Sequence, residues 1–418
     1  MKTGLLAFTA VLTFFAGAHF VSLSAADDIP AVTEKVRIVP ETRNGFVHPG
    51  LGITKENLEN ARRQILAGRE PWLSHWRVLA QDWQARRDVL PRNESRERPG
   101  EPDSDAWDSK GMQARLGLDG QVAYKQALMH FFSGDPVYRR NAMRIIRVWS
   151  KMDPAKFRPY GDCHIHSGWP LHNLLQAAEI LRHAPTDDPA LAWTRNDAEA
   201  LERNLIRPAI KTFMNWNGWF MNQNNFAIMG AMSGFIFLDD REGYEQRVEW
   251  FTVNRDAPDQ GISGSIKQLA RLATRDDETG VPIEPRVQLA EMGRDQAHAA
   301  EDMNLFAMIA RIVMNQGTLV DPVDGVPSTK PDAVPAIEFL DHRILKAADY
   351  FCRFMLGLET PWTTIASSID KDGAPRAFYR TIAEGYRGRW TTFEFWWIWD
   401  YYTYKKGWNL AGIAPYFD

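Results

Sequence analysis

The sequence predicts an all-α protein: an (α/α) toroid or barrel of helical hairpins in a single domain. Three observations predict it. Apolar residues recur with a period of about 3.6 almost throughout residues 54–418. The periodic segments come in pairs of similar length joined by short turns, with no sequence repeat of fixed period. Alternating runs of β-branched residues are scarce. A tandem-repeat solenoid is the structural alternative.

The elements follow in order. Residues 1–26 read as a secretory signal: Lys2 precedes the apolar run GLLAFTAVLTFFAGAHFV, and Ser24 and Ala26 are the small residues before a cleavage expected after Ala26. A membrane anchor is the rival, but Gly17 and His19 interrupt the run. No later stretch offers about 18 uninterrupted apolar residues, so the mature chain is expected to have no membrane span. Residues 27–53 form an extended, proline-punctuated entry. TKENLENARRQILAG then opens a helix, with Thr54 as N-cap, Asn57 at the capping-box position and Gly68 as stop. DGQVAYKQALMHFFSGD and PVYRRNAMRIIRVWSKM make a helical hairpin that turns at Ser133-Gly134-Asp135-Pro136. GWPLHNLLQAAEILRHA, DAEALERNLIRPAIKTFMNW, NNFAIMGAMSGFIFLDD, GYEQRVEWFTVN and AIEFLDHRILKAADYFCRFMLG continue the pattern. Loops are expected at 88–115, 276–290 and 316–334.

Composition bounds the partners. At 418 residues, 44% hydrophobic and 24% charged, the chain is globular. A net charge of −4 gives no global basic field for nucleic acid, so a polyanionic ligand needs a locally positive cleft. Cys163 and Cys352 are the cysteines; a disulfide and two buried thiols both stay open. Asn93-Glu94-Ser95 is an N-glycan acceptor triplet if the source is eukaryotic. Sixteen tryptophans and the cluster RWTTFEFWWIWDYYTYKKGW suit either sugar stacking or the filling of a large core.

EMGRDQAHAAEDMN is the most unusual stretch. Read as a helix, it sets Glu291, Arg294, Asp295, His298 and Asp302 on one side, flanked by core-like alanines, Met303, Leu305 and Phe306. Such a stripe is either a surface ion-pair ladder or the lining of a polar cavity.

Four stretches together resemble a known family. FVHPGLGITKENLENARRQILAGREPW, NQNNF followed by FLDD, EMGRDQAH, and TTFEFWWIWDYYTYKKG are similar to segments of the alginate-lyase-type polysaccharide lyases, closest to polysaccharide lyase family 38 and more distantly to family 5. The resemblance covers most of the chain after residue 45. It implies an (α/α)-toroid catalytic domain over 54–418 that cleaves uronic-acid polysaccharides by β-elimination, outside the cell or in a periplasm. Phe226 stands where the family has Trp, Ala297 replaces a Gly, and Asp400 and Tyr401 replace Asn and His before Tyr402.

β-Elimination requires removing a proton next to a carboxylate, so that carboxylate must be neutralised, and a base at C5 and an acid at O4 complete the set. Under the resemblance, Asn225 and Arg294 neutralise the uronate, His298 and Tyr402 serve as base and acid, and His166 is a further base candidate. Asn222, Gln223, Asn224, Glu291, Asp295, His164, Tyr386 and Arg389 complete the substrate-binding set. Cys163, His164, His166 and His172 have ligand-type side chains, and His-x-His chelates when extended, but no second such cluster accompanies them. No metal or cofactor is expected, since amide and guanidinium groups can do the neutralising. The alternative is an inverting glycoside hydrolase pairing Glu291 with Asp239 or Asp240, about 6.5–9.5 Å apart. A non-catalytic sugar-binding protein is a third reading.

Overall fold

The computed structural model describes residues 29–94, 104–257, 263–369, 374–388 and 394–417. The expected signal segment and Arg389 lie outside the described residues. Helix α1 (Lys55–Leu66) opens on the predicted capping box, Thr54 and Asn57 bonding each other's backbone N–H. Helix α2 (Trp72–Gln81) follows. The predicted hairpin is α3 (Lys110–Ser133) and α4 (Pro136–Trp149); Gly134 ends α3 in a left-handed conformation and Asp135 caps α4. Then come α5 (Cys163–Arg182), α6 (Arg195–Leu201) running through one π turn into α7 (Arg207–Phe213), α8 (Asn222–Phe237) and α9 (Arg241–Thr252). Short α10 (Ile266–Leu269), α11 (Gln296–Asn315), α12 (Phe339–Met355), α13 (Trp396–Asp400) and α14 (Ala414–Phe417) complete the helices.

These helices form the (α/α) architecture. Helices α3, α5, α8 and α11 are apolar nearly all round and form an inner layer, with α5 between α3 and α8, and α8 between α5 and α11. The amphipathic α4 and α12, together with α7 and α9, back them. Each inner helix runs parallel to the next, because an outer element returns the chain between them. Gly120 of α3 faces Pro170 and Leu174 of α5; Gly168 of α5 faces Phe226 and Gly230 of α8; Asn222 of α8 bonds His298 of α11. Their N-terminal ends therefore gather at one end of the body and their C-terminal ends at the other. Buried Arg139 of α4 closes the C-terminal end of α5 by donating to the carbonyls of Leu181, Ala184 and Leu191 at 2.7–3.0 Å.

The entry segment lies across the C-terminal end. Within it, β1 (Glu41–Arg43) and β2 (Phe46–His48) form a hairpin through Asn44-Gly45, both at positive φ, as a two-residue turn requires. Gln316, at the end of α11, bonds Val47 N–H and the carbonyls of Val47 and Gly50, while Asn44 bonds the Asp239 carbonyl after α8.

Several expectations are corrected. Residues 276–290 are not a loop: β3 (Ala270–Arg275) and β4 (Pro282–Leu289) pair there as a hairpin. The expected 316–334 loop begins and ends in short β5 (Leu319–Val320) and β6 (Val334–Pro335), and β7 (Ile365–Ile369) pairs with β8 (Pro375–Tyr379). Prolines and exposed polar residues erase the alternation that marks a half-buried strand. Side chains hold these hairpins instead: Gln288 bonds both backbone groups of Thr363, and Asp277 accepts from Ala366 N–H at 2.8 Å. Asn93 is no glycan acceptor in this fold, for its amide is buried and donates to the Ser104 carbonyl at 2.8 Å. Cys163 and Cys352 are free thiols. In the C-terminal cluster, Phe395, Trp397, Tyr401, Tyr402 and Tyr416 are core rings in edge-to-face and tilted contacts.

The contact between α5 and α8 tolerates no side chain. A Cβ on Gly168 would lie 1.8 Å from the Phe226 carbonyl oxygen, and one on Gly230 would lie 2.4 Å from the Gly168 Cα. Gly168→Ala is expected to destabilise the protein by about 3 kcal/mol, the upper end for overpacking, read as a lowered midpoint in urea unfolding.

Candidate active site at the N-terminal ends of the inner helices

The charged stripe of residues 291–302 does not occupy one helix face. Ala290–Gly293 form a 3-10 turn, and Asp295 is extended (φ −174, ψ 165) as the N-cap of α11, accepting from Ala297 and His298 N–H at 2.9 Å. Asp competes for the backbone in this way because its short carboxylate satisfies two otherwise orphaned N–H groups. The stripe converges nonetheless. Glu291 accepts from Asn222 N–H at 3.1 Å and from Arg294 Nη1 at 3.0 Å. Asn222 Nδ2 donates to the His298 carbonyl at 3.3 Å, and His298 Nδ1 meets Asp295 Oδ2 at 2.6 Å.

Burial sets the charges here. Asp302 and Glu291 are both fully buried. Burial, and then the charge of Glu291, pushes the Asp302 carboxyl well above its usual range. Glu291 is also raised by burial, against the pull of Arg294 and His298. No hydrogen-bond partner among the described residues reaches either Asp302 oxygen, whereas Glu291 is paired with Arg294. Burial opposes ionisation of Asp295 too, but the bonds from His298 side chain and backbone outweigh it and hold that carboxyl below its usual range. Glu301, one turn beyond His298, is pushed up to about 7 by burial.

Arg294 keeps unspent donors. Only its Nη1 bond to Glu291 is made among the described residues, and its guanidinium lies 5.7 Å from the Phe220 ring centre. His298 is partly exposed, and with Nδ1 on Asp295 its Nε2 is left to act. Tyr379, at the end of β8, packs against Gly293, where an added Cβ would come within 2.3 Å of the tyrosine Cβ. Burial, then the Glu291 charge, pushes its phenol up to about 12, so it is a proton donor at neutral pH. Its hydroxyl has no hydrogen-bond partner among the described residues.

A second group lies beside this one, on α5. The CHIHSGW segment is helical from Cys163, which points His164 and His166 to different sides and rules out joint chelation by an extended His-x-His. His164 Nε2 bonds Gln223 Oε1 at 3.0 Å and its ring stacks on Trp219, with centres 4.7 Å apart and an interplanar angle of 2°. Trp219 meets the exposed Trp216 edge-on. Burial lowers both His164 and His166, the latter helped by Lys110. His172 is deep in the core on Ser233.

The predicted residues thus divide. Asn222, Glu291, Arg294, Asp295 and His298 come together, with Gln223 and His164 adjoining. Asn225 is buried, and neither its Oδ1 nor its Nδ2 has a partner among the described residues. Asn224 turns away to donate to the Gly264 carbonyl. Tyr386 (φ 64) lies near the start of α11, where Gly385 accepts from Gln296 N–H at 3.0 Å. Tyr402 is in the core, its hydroxyl donating to the Ile337 carbonyl and meeting His342 Nδ1, both at 2.9 Å. The pair Glu291 with Asp239 or Asp240 is not formed: Glu291 touches the start of α8, whereas both aspartates follow its end, about 25 Å along. Sequence reasoning missed Tyr379, Trp216, Trp219 and Glu301. Only for Glu301 was there a signal, its spacing of three from His298. A recess of about 500 Å³ lined by Val287, Leu345, Tyr350 and Ile413 lies elsewhere and includes none of these residues.

No family model matches the chain, and no curated protein does. Solved structures that resemble it include the crystal structure of an alginate lyase from Bacteroides ovatus, with a TM-score of 0.43 and 12% identity over 76% of this chain and 93% of that one. Another is alginate lyase A1-III in a variant complexed with tetrasaccharide, with a TM-score of 0.40 and 14% identity over 76% of this chain and 91% of that one.

The raised Asp302 carboxyl makes stability depend on pH. Because the Asp302 carboxyl is raised in the folded chain, the stability it contributes is full below the usual carboxylate range and is lost as pH rises toward its folded value. Asp302→Asn removes that slope, up to about 1.4 kcal/mol per pH unit for one group. The urea midpoint of the wild type, relative to the variant, is expected to fall between about pH 4 and 7; a relative rise would show Asp302 ionised.

Proposed function

We propose that the chain is an exported polysaccharide lyase that cleaves a uronic-acid polymer of the alginate or glucuronan type by β-elimination, related to polysaccharide lyase families 38 and 5. One observation carries the reading. A cation with unspent donors (Arg294), a histidine held by a carboxylate (His298 on Asp295) and a protonated phenol (Tyr379) meet around the buried Glu291–Asp302 pair. They do so where inner-helix N-termini converge, and helix N-termini favour anions.

In this proposal Arg294 and the free carboxamide N–H groups of Gln223 neutralise the uronate carboxylate, each preorganised donor contributing about 3–4 kcal/mol. His298 Nε2 takes the C5 proton. The C4–O bond breaks as the C4–C5 double bond forms, and Tyr379 gives its proton to the leaving oxygen. Asn225 remains in the proposal as a buried amide that has spent neither donor nor acceptor. Trp216 and Trp219 offer ring faces to neighbouring sugars. Tyr402 leaves it, since its hydroxyl is already committed; His166 leaves it because the α5 helix separates it from His164. The hydrolase reading lacks its geometry: Glu291 meets the start of α8, whereas Asp239 and Asp240 follow its far end, well beyond the roughly 6.5–9.5 Å that the mechanism needs.

Incubation with polyuronates should generate the ultraviolet absorbance of an unsaturated uronate. New reducing ends without that absorbance would establish hydrolysis instead. Arg294→Ala is expected to lower kcat about 10²–10³-fold, and His298→Ala or Tyr379→Phe about 10²–10⁴-fold, with far-ultraviolet circular dichroism unchanged. A fully active Tyr379→Phe would remove that residue as the acid.

A further inference from the structure

At the opposite end of the body, three ligand-type side chains meet. His48 ends β2, Glu179 stands on the last turn of α5 and His183 is its C-cap; one ligand atom from each lies within 4.8 Å of the others. All are buried: relative exposures are 0% for His48, 1% for Glu179 and 6% for His183. Two of their polar atoms, Glu179 Oε1 and His183 Nε2, have no hydrogen-bond partner among the described residues. Buried polar atoms are rarely left so, and two in one cluster call for an explanation.

The bonds of His48 point the same way. Its Nε2 meets Asp239 Oδ1 at 3.0 Å and its Nδ1 meets Glu179 Oε2 at 2.9 Å. With the ring proton on Nε2 toward Asp239, the Nδ1 lone pair faces a carboxylate, and either a second ring proton or a metal ion must join them. A carboxylate holding the far N–H of a ligating histidine is the usual outer support of a zinc ligand. Asp239 is itself fixed by Arg43. The rings of His48 and His183 are near parallel, with centres 5.7 Å apart. The ends of α5 and α8 that converge here are C-terminal, the ends that favour cations.

We propose that His48 Nδ1, the Glu179 carboxylate and His183 Nε2 bind one divalent transition-metal ion, Zn²⁺ fitting best, as a structural clip between the entry hairpin and α5. Two imidazoles and one carboxylate make a set that zinc accepts. Ligand atoms on a tetrahedral ion stand about 3.4 Å apart, so side-chain adjustments of an ångström or so close the present spacing. The cluster is about 22 Å along α5 from His164, and the proposal does not depend on the activity proposed for the other end.

The test uses the whole secreted chain, stripped with EDTA, dialysed metal-free, and titrated with ZnCl₂ by calorimetry and thermal unfolding. The expectation is one Zn²⁺ per chain and a midpoint raised by roughly 4 °C when zinc is a hundredfold above Kd. Glu179→Gln, which preserves shape, and His183→Ala should each weaken binding at least about 100-fold. No uptake by the wild type would overturn the proposal in favour of a doubly protonated His48 bridging two carboxylates. Unchanged uptake in Glu179→Gln would overturn it by placing the ion elsewhere; that variant and the wild type decide the matter even if His183→Ala does not fold.

Discussion

The two ends of this molecule are linked by two backbones that nearly touch. Where α5 crosses α8, Gly168 lies against the Phe226 carbonyl and Gly230, with no side chain between them. A contact that close fixes the two helices in register as well as in distance. One turn before Gly168, His164 therefore reaches Gln223; at the far ends, Glu179 and Asp239 both reach His48. One crossing thus reaches both ends of the body. Because the inner helices are parallel, the two ends are electrically unlike, and each cluster has the character its end favours.

The N-terminal cluster looks too acidic to receive an anion. Glu291, Asp295, Glu301 and Asp302 crowd around Arg294 and His298. Burial changes the arithmetic. Asp302 is raised well above its usual range, Glu301 is raised to about 7, and Asp295 is engaged with His298. Glu291 is balanced by Arg294, so the site is far less negative than its four carboxyls suggest. A net charge of −4 is then no obstacle to a polyanion, because a partly enclosed site feels its own groups and the helix ends more than screened charges farther away.

How much of this was legible in the sequence varied with the kind of interaction involved. The helices, the cap at Thr54 and the turn at 133–136 were readable because local chemistry decides them. The grouping of Glu291, Arg294, Asp295 and His298 was also readable, though for a reason only half right. Periodicity placed them on one helix face; in fact Asp295 breaks the helix by capping it, and Glu291 returns through its bond to Asn222. Tyr379 was not legible. It reaches the site on a hairpin whose prolines and exposed residues mask its strands, held by Gln288 and Asp277 from another hairpin distant in sequence. Tyr402 misled for the converse reason: its motif is local, but a tertiary contact with Ile337 claims its hydroxyl.

Backbone strain is found at both ends, at Asn44 (φ 46) and Asp239 (φ 57) on one and before the inner helices on the other. Asp162 (φ 60) precedes α5, Met221 (φ 46) precedes α8 and Tyr386 (φ 64) adjoins the start of α11, all non-glycine residues in the left-handed region. Each costs on the order of 1–3 kcal/mol and persists only where the surroundings over-determine it. The inner helices supply that constraint, so their first turns are aimed by the packed core rather than by loop preference. Gly293 then does for Tyr379 what Gly168 does for the α5–α8 crossing: the absence of a side chain lets a neighbour come close. A glycine beside a tyrosine and a glycine beneath a helix crossing are the same device, backbone brought near enough that the geometry of a site is set by main chain instead of by flexible side chains.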